Sequence, residues 1–170
     1  MRIIGGRFAG TTLFSPAGRV RPTAEPVRVA GMALVGGELE GARVLDLFAG
    51  AGTFGLEALS RGAATCDFVE NGPAALHALK ANVALLRARH CTRIFIQDAI
   101  PFAERLTAGT YDIAYADPPY GSRKLDRVLE AWRRTPFARI LVLEHDSDHA
   151  LPPATRASRV GDTVLSVYTD

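Results

Sequence analysis

Apolar residues in this chain fall into short runs of strand length, and between the runs they recur at the spacing of a helix face. Five runs predict buried strands, at residues 44–48, 66–70, 92–96, 111–116 and 139–144. The intervening segments predict helices over 53–61, from Pro73 onward, over 101–106 and over 125–134. This alternation is typical of a mostly parallel sheet with helices on both faces.

The end of the chain predicts an antiparallel hairpin. Residues 156–160 and 163–168 have strand-like patterns, and only Gly161 and Asp162 separate them. A turn this short requires the two strands to pair antiparallel. Together with the five preceding runs, the hairpin predicts a mixed sheet of seven strands in an α/β fold.

The start of the chain predicts a small extension ahead of this sheet. Residues 2–4 and 11–14 are expected to pair as a hairpin, and a helix is expected over residues 24–34. We therefore expect two parts, an N-terminal extension over residues 1–40 and an α/β domain over residues 41–170.

Length and composition fit a single globular domain without a membrane anchor. The 170 residues, 48% of them hydrophobic, are enough for one sizeable core. No segment approaches the ~20 consecutive apolar residues that cross a bilayer, and the N-terminus lacks the apolar core of a signal peptide. We therefore expect a soluble, cytoplasmic monomer with no membrane partner, in which Cys66 and Cys91 are reduced.

Positive charge is concentrated near the N-terminus. The net charge is only +2, yet the first 30 residues contain five arginines and a single acid, Glu25. A local cluster of this kind can hold a phosphate backbone although the whole chain is nearly neutral. Four of these arginines are candidate RNA contacts: Arg7, Arg19, Arg21 and Arg28. A solvated face without a partner is the alternative interpretation.

A glycine-rich loop follows the first predicted strand. Gly50, Gly52 and Gly55 satisfy the pattern G-x-G-x-x-G, and Glu70 lies about 20 residues beyond the loop. A dinucleotide would place its pyrophosphate on the amides at the start of the next helix, whereas S-adenosylmethionine would place its carboxylate there. In either case Glu70 would bind ribose hydroxyls.

Acids at the ends of other strands separate these two ligands. Asp46 stands just before the loop, where its carboxylate would attract the ammonium group of S-adenosylmethionine and repel a pyrophosphate. Asp98 ends the third strand and suits a hydrogen bond from an adenine amine. Because open α/β sheets bind ligands at the carboxyl ends of their strands, these positions together favour S-adenosylmethionine.

The fourth strand ends in the sequence Asp117-Pro118-Pro119-Tyr120. Both prolines restrict φ and lack an N–H, so the chain must leave the sheet at Pro118. A carboxylate, backbone carbonyls and an aromatic ring then converge. This combination suits an exocyclic amine on a flat base, with oxygens accepting its protons and Tyr120 stacking on the ring. An ordinary stiff turn is the alternative.

Several of these segments together resemble the RsmD family, class I S-adenosylmethionine-dependent methyltransferases that methylate the N2 amine of a guanine in 16S ribosomal RNA. The resemblance is carried by Arg2-Ile3-Ile4-Gly5-Gly6, Arg21-Pro22-Thr23, Val27-Arg28, residues 46–52 and 55–63, and Asp117-Pro118-Pro119-Tyr120. It implies a Rossmann-like fold, S-adenosylmethionine as cofactor, and 16S rRNA as partner within an assembled or assembling small ribosomal subunit.

The resemblance also implies roles for individual residues. The methionine end of the cofactor would be held by Asp46, Gly50 and Gly52, with Phe48 in the same loop. Its ribose would be held by Glu70, and its adenine by Asp98 and Ala99. The flipped guanine would be held by Asp117, Pro118, Pro119 and Tyr120.

Other functions share parts of this pattern. An adenine-N6 methyltransferase acting on DNA or RNA uses the same corner chemistry, although such enzymes normally carry an added recognition domain. A non-catalytic RNA-binding module and a nicotinamide-dependent dehydrogenase are further alternatives. No metal site is expected, because the four histidines show no ligand spacing beyond the pair His145 and His149, and we expect all four at the surface.

Overall fold

Seven strands form one sheet in the computed structural model, which describes residues 1–17, 24–119 and 121–170. The strands are β1 (Arg43–Leu47), β2 (Thr65–Val69), β3 (Thr92–Phe95), β4 (Tyr111–Ala116), β5 (Ala138–Asp146), β6 (Arg156–Val160) and β7 (Thr163–Thr169). Their spatial order is β3-β2-β1-β4-β5-β7-β6. Strands β1 to β5 are parallel, and β7 pairs antiparallel with both β5 and β6. The predicted mixed seven-stranded sheet is confirmed.

Five helices accompany the sheet in the described part of the chain. They are α1 (Glu25–Val35), α2 (Thr53–Ser60), α3 (Pro73–Leu85), α4 (Ala99–Glu104) and α5 (Lys124–Arg134), with short 3-10 turns at Gly36–Glu38 and Arg89–Cys91. Helix α4 starts two residues before the predicted position, because the Asp98 carboxylate accepts a hydrogen bond from the Ile100 amide at 2.9 Å and caps the helix.

The sheet separates two apolar clusters. Val44 and Ile113 belong to the cluster under α1, α2 and α3, whereas Leu45 and Ala114 belong to the cluster under α4 and α5. Successive residues of a strand point to opposite faces of the sheet. Strands that carry apolar residues at both odd and even positions are therefore buried on both sides. The predicted coverage by helices on both faces is therefore present.

The N-terminal segment is built into the first cluster. Ile3 and Leu13 are buried there beside residues of α1 and α2. The predicted hairpin reduces to one isolated antiparallel bridge, between Arg2 and Thr12. Amides in the intervening loop bond instead to side chains of α2, so they are not available for a longer ladder.

Strand β5 is longer than the predicted run over 139–144. Its antiparallel pairing with β7 continues through His145 and Asp146, opposite Val164 and Thr163. This pairing supplies hydrogen bonds to polar residues that an apolar run does not predict. No helix in the described part of the chain combines the length and the apolar character needed to span a membrane.

Candidate active site

The glycine loop connects the carboxyl end of β1 to the start of α2. The backbone turns through positive φ at Phe48 (59°), Gly50 (57°) and Gly52 (81°), and Gly52 is the N-cap of α2. A non-glycine residue at positive φ is uncommon and costs conformational energy, and such residues cluster at functional sites. The loop thus directs the amino end of α2 to the carboxyl edge of the sheet.

Gly55 lets α2 approach the sheet closely. A Cβ atom at this position would overlap the Cys66 Sγ and the ring of Phe68, both on β2. The third glycine of the motif therefore serves helix–strand packing, while the first two shape the loop.

Asp46 is buried behind the loop, with 1% of its surface exposed. Its Oδ2 accepts a hydrogen bond from the Gly55 amide at 3.0 Å. Burial is the main cause that raises the pKa of this carboxyl well above its usual range; the Gly55 bond opposes the shift, and the charges of Asp117 and Glu70 add to it. A cation brought to Asp46 would favour its ionised form, so the site fits the ammonium group of an amino-acid ligand.

Glu70 joins the loop after β1 to the loop after β2. Its Oε2 accepts from the Gly50 amide at 2.8 Å, and its Oε1 accepts from the amides of Asn71 (2.9 Å) and Gly72 (2.7 Å). The carboxylate lies 20 residues from Gly50 in sequence but is hydrogen-bonded to it. Its predicted contact with ribose hydroxyls stays a prediction.

Asp98 and Ala99 lie at the end of β3, on the same edge. Asp98 caps α4, and Ala99 is the first residue of that helix with its side chain buried in the second core cluster. Any contact from Ala99 to a ligand would therefore use its backbone. The predicted adenine site stays a prediction.

The corner after β4 stands beside this loop. Asp117, Pro118 and Pro119 follow directly on Ala116, and Ser122 Oγ closes the turn with a hydrogen bond to the Pro119 carbonyl at 2.8 Å. Tyr120 lies outside the described residues. The Lys124 ammonium at the start of α5 lies 5.5 Å from the centre of the Phe48 ring. The corner and the glycine loop are thus neighbours.

Glu144 is a further acid beside this site, in addition to the acids predicted from residue patterns. It is 3% exposed and accepts a short hydrogen bond from the Tyr115 hydroxyl. The Tyr115 ring stacks on Phe54 of α2, with ring centres 3.8 Å apart and an interplanar angle of 4°. Burial raises the pKa of Glu144 to about 8, and the charge of Asp117 adds to the shift.

A signal for Glu144 is present in the sequence. It follows four apolar residues of β5, much as Asp117 follows the apolar residues that end β4. An acid at the carboxyl end of a fifth parallel strand is a candidate site residue by the same rule that selected Asp98 and Asp117.

Known proteins resemble this chain over nearly its full length. A family model described as "Conserved hypothetical protein 95" matches residues 1–169 of the chain. The chain belongs to this family, the RsmD family of methyltransferases. The resemblance stated from its motifs is therefore confirmed.

Two relatives are informative for this RsmD-family chain. The Bacillus subtilis (strain 168) protein YlbH, whose name proposes an rRNA methyltransferase, is 34% identical over 181 residues, which cover 99% of this chain and 98% of that protein. The Ribosomal RNA small subunit methyltransferase D of Escherichia coli (strain K12) is 35% identical over 131 residues, which cover 76% of this chain and 65% of that protein.

Solved structures share the fold over the full length. The Escherichia coli protein yhhF, described as a proposed methyltransferase, superposes with a TM-score of 0.86 at 29% identity and covers 99% of this chain and 97% of its own. A hypothetical protein of Thermus thermophilus superposes with a TM-score of 0.83 at 28% identity and covers 100% and 99%. The RsmD-family chain therefore has the Rossmann-like methyltransferase fold.

The arginines of the RsmD-family extension occupy different environments. Arg7 is exposed, and its loop is anchored to the last turn of α2 by a hydrogen bond from its amide to the Ser60 carbonyl at 2.8 Å. Because α2 starts at the glycine loop, Arg7 lies at the opposite end of that helix. Arg19 and Arg21 lie outside the described residues.

Arg28 corrects the sequence prediction. It is 4% exposed, its Nη1 donates to the Arg2 carbonyl at 2.9 Å, and the same nitrogen lies 4.0 Å from Glu57 Oε2. A buried guanidinium with these partners cannot reach an RNA phosphate in this structure. Arg28 instead ties α1 to the N-terminal segment and to α2.

The histidines also differ in part from the expectation. His77 and His90 are exposed, but His145 is 5% exposed, with its ring nitrogens 2.8 Å from the Asp146 carbonyl and 2.9 Å from Ser166 Oγ. It is buried because β5 continues into the pairing with β7. A cavity of about 220 Å³ lies between this strand end and the Pro118–Pro119 corner.

Asn82 is a second residue that the motifs missed. It is fully buried on α3, and its Nδ2 donates to the carbonyls of Ala51 in the glycine loop and Phe14 in the extension, both at 3.0 Å. Its Oδ1 accepts from the Phe14 amide at 2.7 Å. A polar residue on the apolar face of a predicted helix was the signal that could have identified it.

Proposed function

We propose that this RsmD-family chain transfers a methyl group from S-adenosylmethionine to the exocyclic N2 amine of a guanine in small-subunit (16S) ribosomal RNA. The observation that carries the proposal is the meeting of two features at one edge of the sheet. One is the glycine loop with buried Asp46 behind it, and the other is the Asp117 corner beside it.

The cofactor is S-adenosylmethionine, and the loop residues suit its amino-acid end. Asp46 would pair with the ammonium group, while amides of the loop and of the first turn of α2 would bind the carboxylate. Glu70 holds the loop through Gly50 and would accept ribose hydroxyls with its remaining lone pairs. When bound, the cofactor supplies a methyl group made electrophilic by a sulfonium.

The corner would hold the target base. An exocyclic amine is a poor nucleophile because its lone pair is delocalised into the ring. Hydrogen bonds from its two N–H groups to the Asp117 carboxylate and the Pro118 carbonyl would favour a pyramidal nitrogen with a localised lone pair. Tyr120 would stack on the base. Positioning and electrostatics of this kind can account for several kcal/mol of barrier lowering.

The RNA would be recognised partly through the extension. Arg7, Arg19 and Arg21 are the proposed phosphate contacts. We further propose that the enzyme is a monomer in the cytoplasm. Because few basic residues contact the RNA, part of the specificity would come from the other components of an assembled or assembling small ribosomal subunit.

Methyl transfer to small ribosomal subunits tests the proposal. Subunits from a strain that lacks the enzyme are incubated with S-adenosylmethionine labelled in its methyl group, and the nucleosides are then separated. We expect label in N2-methylguanosine at one position, and at least a roughly 100-fold lower rate for Asp117→Asn. The exposed Asp162→Asn is the matched control and should retain the wild-type rate.

Each other outcome has a defined meaning. Label in N6-methyladenosine would replace the guanine assignment by an adenine-N6 methyltransferase. Binding of S-adenosylmethionine and RNA without any transfer would support a non-catalytic RNA-binding module. A strong preference for NAD over S-adenosylmethionine in calorimetry would contradict the cofactor.

A further inference from the structure

Glu144 and Asp117 occupy equivalent places on neighbouring strands. Ala116 of β4 pairs with Leu143 of β5 in parallel register, so the next residue on each strand is an acid. Tyr115 belongs to the cluster under α1, α2 and α3, and its hydroxyl donates to Glu144, so both side chains lie on that face of the sheet. The two acids therefore lie at adjacent strand ends, on the edge of the sheet where the target amine is proposed to bind.

The polar and charged groups that act on Glu144 or on its partner Tyr115 come from several neighbouring elements. Tyr115 and Asp117 approach it from β4, and Asp46 of β1 also acts on the Tyr115 hydroxyl. From α1 the charged group is Arg28, whose charge interacts with Tyr115. On β7 the opposed residue is Leu165, and His145 on β5 is engaged with Ser166 on β7.

Two carboxyl groups on adjacent strand ends resist being ionised together, and Asp117 acts on Glu144 in this way. The negative charge of Asp117 therefore makes Glu144 hold its proton more tightly than an isolated carboxyl group would. The pKa of Glu144 is raised to about 8, by burial first and by the charge of Asp117 second, which agrees with this arrangement. A carboxyl pair that binds a proton near neutral pH is a suitable proton acceptor.

We propose that Glu144 is a positioning residue that enables the Asp117 carboxylate to accept the proton released by the methylated amine. The inference rests on the proposed function. The amine lone pair forms the new N–C bond, and the electrons of the broken S–C bond stay on sulfur. The N–H bonding electrons then return to nitrogen as its proton moves to Asp117, with Glu144 strengthening the hold on that proton.

The Tyr115 contacts give Glu144 a fixed position. Tyr115 donates to the carboxyl and is itself clamped by parallel stacking on Phe54, the second residue of α2. Phe54, Tyr115 and Glu144 thereby connect α2, β4 and β5 next to the corner. Removal of the Tyr115 hydroxyl should loosen this carboxyl while leaving the carboxyl group itself in place.

The first test is the pH dependence of methyl transfer on small subunits. The wild-type kcat is expected to rise about tenfold between pH 7 and pH 9, because the deprotonated fraction of a group with a midpoint near pH 8 rises by that factor. The rise should disappear in Glu144→Gln and return in part, with a shifted midpoint, in Glu144→Asp. The exposed Glu130→Gln on α5 is the matched control and should keep the wild-type profile.

The second test needs no substrate. In protein labelled with ¹³C at glutamate side-chain carboxyls, one NMR resonance missing from Glu144→Gln should titrate with a midpoint near pH 8. In Asp117→Asn the same midpoint should fall by about one pH unit or more, because the neighbouring charge is gone. Circular dichroism and S-adenosylmethionine affinity establish that each variant is folded.

The outcomes separate this inference from the proposed function. A wild-type enzyme that methylates guanine while Glu144→Gln keeps the same pH profile overturns the inference alone. A Glu144 midpoint that does not respond to Asp117→Asn also overturns it. A wild-type enzyme with no methyl transfer overturns the proposed function, and the proton-acceptor role with it.

Discussion

The side-chain amide of Asn82 lies 3.0 Å from the carbonyl oxygen of Ala51, so a residue of α3 supports the glycine loop from behind. The same amide group also binds both backbone polar groups of Phe14. The extension and the cofactor loop are therefore joined through one buried side chain, and a change at Asn82 should be felt at both.

Asn82→Ala should destabilise the fold and weaken cofactor binding together. The substitution leaves the Ala51 carbonyl and both Phe14 backbone groups without this partner, at a cost of about 2–4 kcal/mol in the free energy of unfolding. Urea denaturation and calorimetry with S-adenosylmethionine would measure the two effects. The exposed Asn71→Ala should change neither, and a stable Asn82→Ala with normal affinity would contradict the proposed link.

Gly55→Ala should destabilise the protein although alanine is the better helix former. The propensity gain is about 1 kcal/mol, whereas the new methyl group overlaps Cys66 and Phe68, and overpacking of this kind costs about 1–3 kcal/mol or more. We therefore expect a lower thermal midpoint. Gly36→Ala is the control, because that residue has right-handed helical φ and ψ and open space around it, and it should be neutral or stabilising.

Asp46→Asn should separate cofactor binding from stability. An amide oxygen can still accept the Gly55 hydrogen bond, and loss of a buried carboxyl removes a desolvation cost, so the free energy of unfolding at about pH 7.5 should not fall by more than about 1 kcal/mol. Affinity for S-adenosylmethionine should fall at least about tenfold, because the ammonium group loses its counter-ion. Equal losses for the half-buried Asp112→Asn in calorimetry would show that a general charge effect is responsible.

The stability of the wild type should decrease with pH through the raised pKa of Glu144. This pKa rises from 4.5 to about 8 on folding, so the folded state holds the proton more tightly than the unfolded state does. The contribution of this proton to the free energy of unfolding is fully present below pH 4.5 and is lost as the pH rises through about 8. Between about pH 6 and pH 8 the loss should be about 2 kcal/mol relative to Glu144→Gln in urea denaturation. Parallel curves for the two proteins would refute this assignment.

Much of the fold follows from local patterns that the sequence displays. The run 111–116 and the helix from Pro73 appear where they were predicted, because apolar periodicity reports which side of an element faces the core. The predicted boundaries of the strands and helices are less accurate. β5 extends through His145 and Asp146 because β7 pairs with it, and that partner lies roughly 20 residues further along the chain.

The candidate site shows the same division. Asp46, the loop glycines and the Asp117 corner were identified from residue types at the ends of predicted strands, and the structure brings them to one edge. The cluster of positive charge near the N-terminus predicts Arg28 as an RNA contact, which is wrong. Its burial depends on Glu57 and the Arg2 carbonyl, which no local pattern around α1 reveals.

Spacing within short segments of the sequence determines three features: the order of strands and helices along the chain, the glycine loop, and the family. These features could therefore be predicted before any coordinates were known. Three other features became visible only in the folded arrangement: Glu144 stands beside Asp117, Asn82 joins the extension to the loop, and Arg28 is interior. The physical reason is that burial, hydrogen bonding and shifted pKa values arise from groups that are distant in sequence and close in space.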